Sequence, residues 1–437
     1  MPHLLILALF ASHGLAARPF LRKLRAGRLP DPVDFAVLSV AFYYDIGLLL
    51  EAFGYNGESR YLSPLLSADR ATLLIAAAYL IAAPWALLAG AALADRGGEV
   101  QLEAPVSRLA PGRRVLFYLA SAAAVAPLMA VGTRYLLGGD SIWAAREKIT
   151  ADWGPLIVVL YLPLHVLAFY VRQCDSRALR GRAASVGFAA AAVFSTISIG
   201  QRTNALLPLL ILATFSIRLS LPRASLLAGS LVIVAALLLP MFKWQYTDVG
   251  FQPDRLIADT IASDIARGPI LAAAIEDSEP IGTRVLPYPM SGYVYSALFF
   301  VPRPLAPIKG VSAATHFTAH LAHSNPEETE WILGVGAIEE MVLNLGWLGV
   351  VPLLLAYGAA LGGLNRLSAR VPSLVVPTRL GAFWLCAHHL PAILLIFGTM
   401  AVVAWLLQLA FAAPITPQAE PIARPTQEPP RWPRLAP

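Results

Sequence analysis

The sequence contains little charge and few cysteines. Charged residues make up 14% of the 437 residues, whereas hydrophobic residues make up 57%. This balance excludes an ordinary water-soluble protein, because a soluble fold needs a larger charged surface. The two cysteines, Cys174 and Cys386, lie in a basic loop and in an apolar run. Their spacing indicates neither a disulfide framework nor a metal site.

Long apolar runs replace the missing charge. Several of them reach about 18 residues, enough to cross a hydrocarbon core roughly 30 Å thick, and in lipid such runs must be helices. The sequence therefore predicts an all-α fold, a polytopic transmembrane helical bundle of about 10–11 helices. The predicted spans lie near residues 3–17, 35–54, 71–94, 115–133, 154–171, 183–200, 204–217, 224–242, 335–364 and 380–412. The last span is long enough for a hairpin, with Pro391 and Gly398 as break points.

The distribution of arginine predicts the orientation. The net charge of +6 does not indicate nucleic-acid binding, because the arginines are dispersed through short loops between apolar runs. Arginine-rich loops alternate with arginine-poor loops, and the richer set is expected in the cytoplasm. The first apolar run is followed, not preceded, by basic residues, which predicts a retained helix rather than a signal peptide. The same alternation places the long loop 243–334 on the periplasmic face of the inner membrane.

The sequence predicts one transmembrane domain, residues 1–413, followed by a tail. The long loop 243–334 is not of low complexity, and the helical spacing of its apolar residues predicts a short interfacial helix within 253–274. Loops of this length are usually functional. The tail 414–437 is rich in proline and arginine, and we expect a disordered cytoplasmic segment.

Several arginines on the predicted outer face are suited to binding a diphosphate. Arg202 lies in a tight GQRTN turn, and Arg303 lies between two prolines that stiffen the backbone. Arg134 and Arg146 belong to an outer loop in which Trp143 offers a surface for a sugar ring. Membrane anchoring is the alternative explanation for the arginines and for the tryptophan.

Acidic and histidine residues supply the candidate acid–base groups. Glu339 and Glu340 begin a predicted helix, and Asn344 follows Glu340 by one turn on the same face. Capping of the helix by an acid is the simpler explanation, but it accounts for only one glutamate. Asp45 lies near the middle of the second span, where an ionisable group is costly. A salt bridge or a proton relay would explain its presence there. His316, His320 and His323 are candidates for substrate contact or solvent exposure, and metal binding is disfavoured because no H-E-x-x-H glutamate accompanies them. His388 and His389 are candidates for packing or polar contacts within the bundle.

The order of these motifs resembles the Wzy family of oligosaccharide repeat-unit polymerases. The matching features are Gly200-Gln201-Arg202, the proline-flanked Arg303, and Glu340-x-x-x-Asn344-x-Gly346 leading into a long helix. An aromatic residue often precedes that glycine in the family, whereas this chain has Leu345.

The resemblance implies a metal-independent glycosyltransferase without a cofactor. It would transfer a growing glycan from undecaprenyl diphosphate onto a lipid-linked repeat unit at the periplasmic face, with Arg202, Arg303 and Glu340 as catalytic residues. The implied substrate-binding residues are Arg134, Arg146, Asn344, His316, His320 and Trp143. A chain-length regulator and a flippase are the implied protein partners, and the bilayer is the surrounding solvent.

Two other functions fit the same topology. An O-antigen ligase shares the apolar architecture and an outer-face arginine, and it uses a histidine late in its long loop, a description that AHSNPEETEWILG partly matches. A transporter or flippase of lipid-linked oligosaccharides would use Asp45 and the bundle histidines along a central path. Against transport, the sequence has no paired interrupted helices in corresponding halves.

Overall fold

A computed structural model describes residues 2–26, 29–54, 62–94, single positions between 113 and 123, and 266–299, 301, 303–329, 333–371 and 374–411. Within these ranges the regular structure is helical, and extended pairing is limited to one bridge between Ser278 and Thr283. The all-helical class agrees with the prediction. The predicted spans from 154 to 242 and the tail 414–437 lie outside the described residues.

Eleven α-helices form the described part of the chain. They are α1 Pro2–Ala16, α2 Arg18–Arg25, α3 Pro32–Ala52, α4 Arg70–Ala94, α5 Gly268–Glu276, α6 Ser291–Ala297, α7 Ala313–Leu321, α8 Ala337–Leu345, α9 Val350–Arg370, α10 Val375–Phe383 and α11 Leu390–Phe411. Helix α3 contains a π-helical stretch at Ala41–Asp45, and a 3₁₀ turn, Trp384–Cys386, extends α10.

Three of the described helices are long and apolar enough to cross a membrane: α3, α4 and α9. By helix length and composition, the chain is a membrane protein. The first two agree with the spans predicted near 35–54 and 71–94. The span predicted at 335–364 is wrong, because the chain turns at Gly346 and divides it into α8 and α9. Gly346 has φ +75°, and a Cβ there would lie 2.6 Å from the amide nitrogen of Gly282.

Helices α4 and α9 pack side by side in the same direction. Gly358 of α9 meets Leu87, and Gly362 one turn later meets Ala91, so residue numbers rise together along the seam. Small residues permit this approach of two backbones, which is the usual basis of helix packing in lipid. The starts of both helices therefore lie on the same side of the bundle, as the arginine pattern requires.

The C-terminal segment forms the predicted hairpin, with a different break. Residues 387–389 separate α10 and its 3₁₀ extension from α11, and α11 packs back on α10 where Gly381 faces Phe397. Pro391 is the second residue of α11, a position where its missing N–H costs little. Gly398 lies inside α11 and causes no break.

Part of the predicted outer loop enters the bundle. A Cβ added at Gly47 would lie 2.7 Å from that of Ala266, and the Arg267 N–H donates to the carbonyl of Tyr43 at 3.1 Å. Tyr43 belongs to the π-helical stretch near the middle of α3. A π-helical stretch interrupts the regular ladder of backbone bonds. Residue 267 thus reaches the level of the middle of a membrane-spanning helix.

Helix α5 is consequently not the interfacial helix that the sequence predicted. Ile270, Leu271, Ala272, Ala274 and Ile275 are all buried, and α5 packs on α4 and α8. An interfacial helix would leave one face to headgroups and water. Residues 253–265 of the predicted helix lie outside the described residues.

Arg379 is one of the arginines that the sequence predicts in a cytoplasmic loop, but the structure buries it and uses it to connect helices. Arg379 lies within α10 and is fully buried. Its guanidinium donates to the carbonyls of Pro30 and Val375 at 2.7 and 2.8 Å and to the Asn365 amide oxygen at 3.4 Å. Arg379 therefore joins the start of α3 and the end of α9 to α10.

Candidate functional site

The site forms around the two glutamates that begin α8. Both side chains are buried, and the chain reaches this point through Gly336, where a Cβ would lie 2.8 Å from the carbonyl carbon of Cys386. Glycine is needed at residue 336 because α8 starts directly against the end of α10. The contact fixes the first turn of α8 inside the bundle, although α8 is not one of the spanning helices.

Glu339 is fully engaged by its neighbours. One carboxylate oxygen accepts from the Tyr44 hydroxyl at 2.6 Å, and the other accepts from the Gly336 N–H at 3.0 Å. Burial raises the pKa of Glu339, while the Tyr44 hydrogen bond and the Arg267 charge oppose that rise. The simpler sequence interpretation, an acid that caps its own helix, thus applies to Glu339.

Glu340 points to a different helix. Its carboxylate accepts from the Leu390 N–H at 2.7 Å, so it binds the first residue of α11 across the break at 387–389. An anion at a helix N-terminus is favourable, because free N–H groups and the helix dipole both attract it. Burial raises the pKa of Glu340 to about 7, and the charge of Glu339 acts in the same direction. A carboxyl group with this pKa can gain or lose a proton near neutral pH.

Asn344 lies one turn after Glu340, as its spacing predicts, but it binds backbone groups. Its amide nitrogen donates to the carbonyl of Glu340 at 2.7 Å, and its amide oxygen accepts from the Tyr293 N–H at 3.2 Å. The backbone carbonyl of Asn344 also accepts from the Met290 N–H at 3.0 Å. Asn344 therefore attaches the start of α6 to α8. The structure gives this side chain a positioning role beside Glu340.

Two phenol groups adjoin the Glu340 carboxylate. Tyr293 of α6 and Tyr357 of α9 are close to each other, and both interact electrostatically with Glu340. Their hydroxyl groups are buried and interact with each other. Buried donors of this kind are suited to oxygen-rich ligands, which include sugars and water.

Arg267 is the main residue of this site that the sequence analysis missed. One guanidinium nitrogen donates to the Ala387 carbonyl at 3.0 Å, and the guanidinium carbon lies 5.8 Å from the ring centroid of Tyr43. The side chain is 6% exposed. A sequence signal was available, since Arg267 is a single arginine directly before the apolar run of α5. Arg202, a single arginine between two apolar runs, gives the same kind of signal.

The other predicted acid, Asp45, lies in a separate pair. Its carboxylate lies 2.7 Å from His13 Nδ1, and His13 Nε2 lies 2.7 Å from the Leu80 carbonyl. A carbonyl only accepts, so Nε2 carries a hydrogen and one further proton is held between Nδ1 and Asp45. This buried pair joins α1, α3 and α4. Of the two roles that the sequence allows for Asp45, a salt bridge or a proton relay, the structure contains the salt bridge. His13 was not recognised as its partner.

The remaining predicted residues are placed as follows. Arg134, Trp143, Arg146 and Arg202 lie outside the described residues. The backbone of Arg303 forms a 3₁₀ turn, Arg303–Leu305, as the flanking prolines suggest, while the placement of its side chain is outside the described structure.

The two predicted histidines lie on α7, away from the Glu339–Glu340 contacts. His320 Nε2 lies 3.3 Å from the Asp277 carboxylate, and both side chains are partly exposed. His316 is half-buried, and burial lowers its pKa. The pair with Asp277 gives His320 a structural role, because it ties α7 to the end of α5.

Comparisons with known proteins add no assignment. The chain matches no family model, no curated protein and no solved structure. The functional interpretation therefore depends on the residues and their geometry.

Proposed function

We propose that this chain is a membrane-embedded glycan polymerase. It transfers a growing glycan from undecaprenyl diphosphate onto the next lipid-linked repeat unit at the periplasmic face of the inner membrane. The observation that carries the proposal is Glu340, a buried carboxyl group with a pKa of about 7, held at the start of α11. A general base works best when its pKa lies near the working pH.

The proposed reaction is a displacement at an anomeric carbon. A hydroxyl of the lipid-linked repeat unit attacks this carbon, and a new C–O bond forms as the bond to the diphosphate breaks. Glu340 takes the hydroxyl proton, and the diphosphate leaves with the bonding electron pair. The charge that develops on the diphosphate requires cations, a role we assign to Arg202 and Arg303 with support from Arg134 and Arg146.

Sugar recognition is assigned to groups near these residues. Trp143 offers a ring face for stacking, and the Tyr293 and Tyr357 hydroxyls supply donors beside Glu340. His316 and His320 remain proposed contacts for the outer part of the glycan. We assign Asn344 to positioning, because its amide is occupied by backbone groups.

Glu340→Gln tests the base separately from the helix cap. Glutamine keeps an oxygen that can accept from the Leu390 N–H, so capping survives, but its amide cannot take a proton. We expect Glu340→Gln, as the only copy in the cell, to abolish long glycan chains while lipid-linked single repeat units accumulate.

The matched control is Glu279→Gln, since Glu279 is exposed and its partner Arg284 is exposed too. This control should give wild-type chain lengths at an equal amount of membrane protein. A wild-type ladder of chain lengths from Glu340→Gln would remove Glu340 from the mechanism.

Transport is the second candidate, and one observation favours it. The structure contains a buried His13–Asp45 pair, and ionisable residues inside the membrane mark proton and ion paths in transporters. The two proposals differ in the leaflet where intermediates collect when the protein is inactive. Single repeat units on the outer leaflet support the polymerase, whereas retention on the inner leaflet supports transport.

A further inference from the structure

Arg267 contacts three separate parts of the bundle. Its backbone N–H binds the carbonyl of Tyr43, its guanidinium binds the carbonyl of Ala387, and a Cβ at Gly334 would lie 2.8 Å from one guanidinium nitrogen. A cation buried to this extent is costly unless its neighbours compensate for the charge. Its position therefore calls for an explanation beyond membrane anchoring.

The contact with Ala387 leads directly to Glu340. Ala387 is the first of the three non-helical residues that form the break between α10 and α11, and Leu390 follows them. By holding the Ala387 carbonyl, Arg267 fixes the start of this break. The Leu390 N–H at its end then meets the Glu340 carboxylate at 2.7 Å. Two hydrogen bonds and one short turn thus connect the guanidinium to the proposed base.

The charges divide unequally between the two glutamates. Glu339 has two hydrogen-bond donors and the attraction of Arg267, which together favour its ionised form. Glu340 has one backbone donor and the repulsion of Glu339. The other titratable groups that face this region are neutral phenols and imidazoles and one thiol: Tyr43, Tyr44, Tyr293, Tyr357, His388, His389 and Cys386.

We propose that Arg267 is a positioning residue for Glu340. It holds the break at 387–389 so that Leu390 orients the Glu340 carboxylate. Its charge also compensates the charge of Glu339, so that Glu340 is the carboxyl group that exchanges a proton. The inference rests on the proposed polymerase function, because it assigns the support of the same base. Arg267 does not touch the reacting atoms in this scheme.

The test compares Arg267→Lys with Arg267→Met in the full chain. Lysine keeps a cation and a donor that can reach the Ala387 carbonyl, whereas methionine keeps length and loses both. Arg284→Met is the matched control, because the Arg284 side chain is 72% exposed. Two measurements are made: glycan length in cells that carry each variant as the only copy, and amide hydrogen exchange of the purified protein in detergent.

We expect Arg267→Met to speed exchange at residues 388–393 and to reduce polymer formation by about 10–100-fold, since misplacement of a catalytic group by about 1 Å has effects of this size. Arg267→Lys should restore most of the polymer, and exchange within α4 should stay unchanged. In a vesicle assay with lipid-linked repeat units, polymer formation by Arg267→Met should also need a higher pH than the wild type. The Leu390 N–H lowers the pKa of Glu340, so its displacement lets Glu340 hold a proton more tightly.

The outcomes separate this inference from the proposed function. Unchanged exchange at 388–393 in Arg267→Met would overturn the inference whatever happens to the polymer. Faster exchange with normal polymer would also overturn it, and loss of polymer in Glu340→Gln would then still support the base. If Arg267→Met does not accumulate in the membrane, Arg267→Lys decides: lost polymer with unchanged exchange contradicts positioning, and retained polymer with the wild-type pH profile supports it.

Discussion

The seam between α4 and α9 should not tolerate a methyl group at Gly358. A Cβ added there would lie 2.9 Å from both the carbonyl carbon and the Cα of Leu87, and nearer still to the carbonyl oxygen. Ordinary contacts begin at 3.4 Å, so the two backbones must separate by at least about 0.5 Å. The neighbouring atoms belong to a helix backbone, which cannot rotate away as a side chain would.

The expected magnitude combines two opposing effects. Overpacking of this kind costs about 1–3 kcal/mol, while replacing a helical glycine by alanine gains about 0.5–1 kcal/mol. Gly363 lies on the same helix and has no atom within 4 Å of an added Cβ, so Gly363→Ala should show only the gain. The difference between the variants should therefore be about 1–3 kcal/mol.

Thermal stability in detergent measures this difference. We expect Gly358→Ala to unfold about 2–6 °C below Gly363→Ala, if each kcal/mol shifts the midpoint by about 2 °C in a chain of this size. The fraction of monodisperse protein after heating, read by size-exclusion chromatography, gives the midpoints. Equal midpoints would refute the close parallel packing of α4 and α9.

Three further predictions concern the site and the topology. Polymer formation in vesicles should fall about tenfold between pH 8 and pH 6, because the ionised form of a base with a pKa of about 7 is lost over this range; a flat profile would exclude Glu340 as the base. His13→Leu should destabilise the protein by about 3–5 kcal/mol, because it leaves Asp45 unpaired, and His13→Leu with Asp45→Leu should recover part of that loss in detergent melts. In a chain with both natural cysteines replaced, Ser324→Cys, at an exposed position of the loop, should react with an impermeant thiol reagent in intact cells while Arg370→Cys is protected, and the reverse pattern would invert the topology.

The sequence predicted the position of Glu340 but not the residues that Glu340 contacts. Glu340 and Asn344 stand one turn apart in any helix, so their shared face follows from helical periodicity alone. That Glu340 would bind Leu390, fifty residues later, depends on where α10 and α11 separate. The break occurs at 387–389 and not at Pro391, since proline is tolerated in the first turn of a helix.

Arg267 and His13 show a second limit. Each is an isolated polar residue in an apolar neighbourhood, and such a residue signals a buried partner without naming it. Arg267 lies in the loop 243–334, which the arginine pattern assigns to the outer face, and no local motif marks it as buried. Its contacts with Tyr43 and Ala387 bring together residues distant in sequence, which no local pattern contains.

The sequence by itself determined the helical class and the positions of two of the described membrane-spanning helices, α3 and α4. Long apolar runs admit no other structure in lipid, because backbone groups must find partners within the segment. Only the tertiary structure decided that residues 266–276 enter the bundle, that α8 is separate from α9, and that Glu339 and Glu340 differ in their surroundings. These outcomes depend on close approaches at Gly47, Gly336 and Gly346, where the fit of one backbone against another sets the fold.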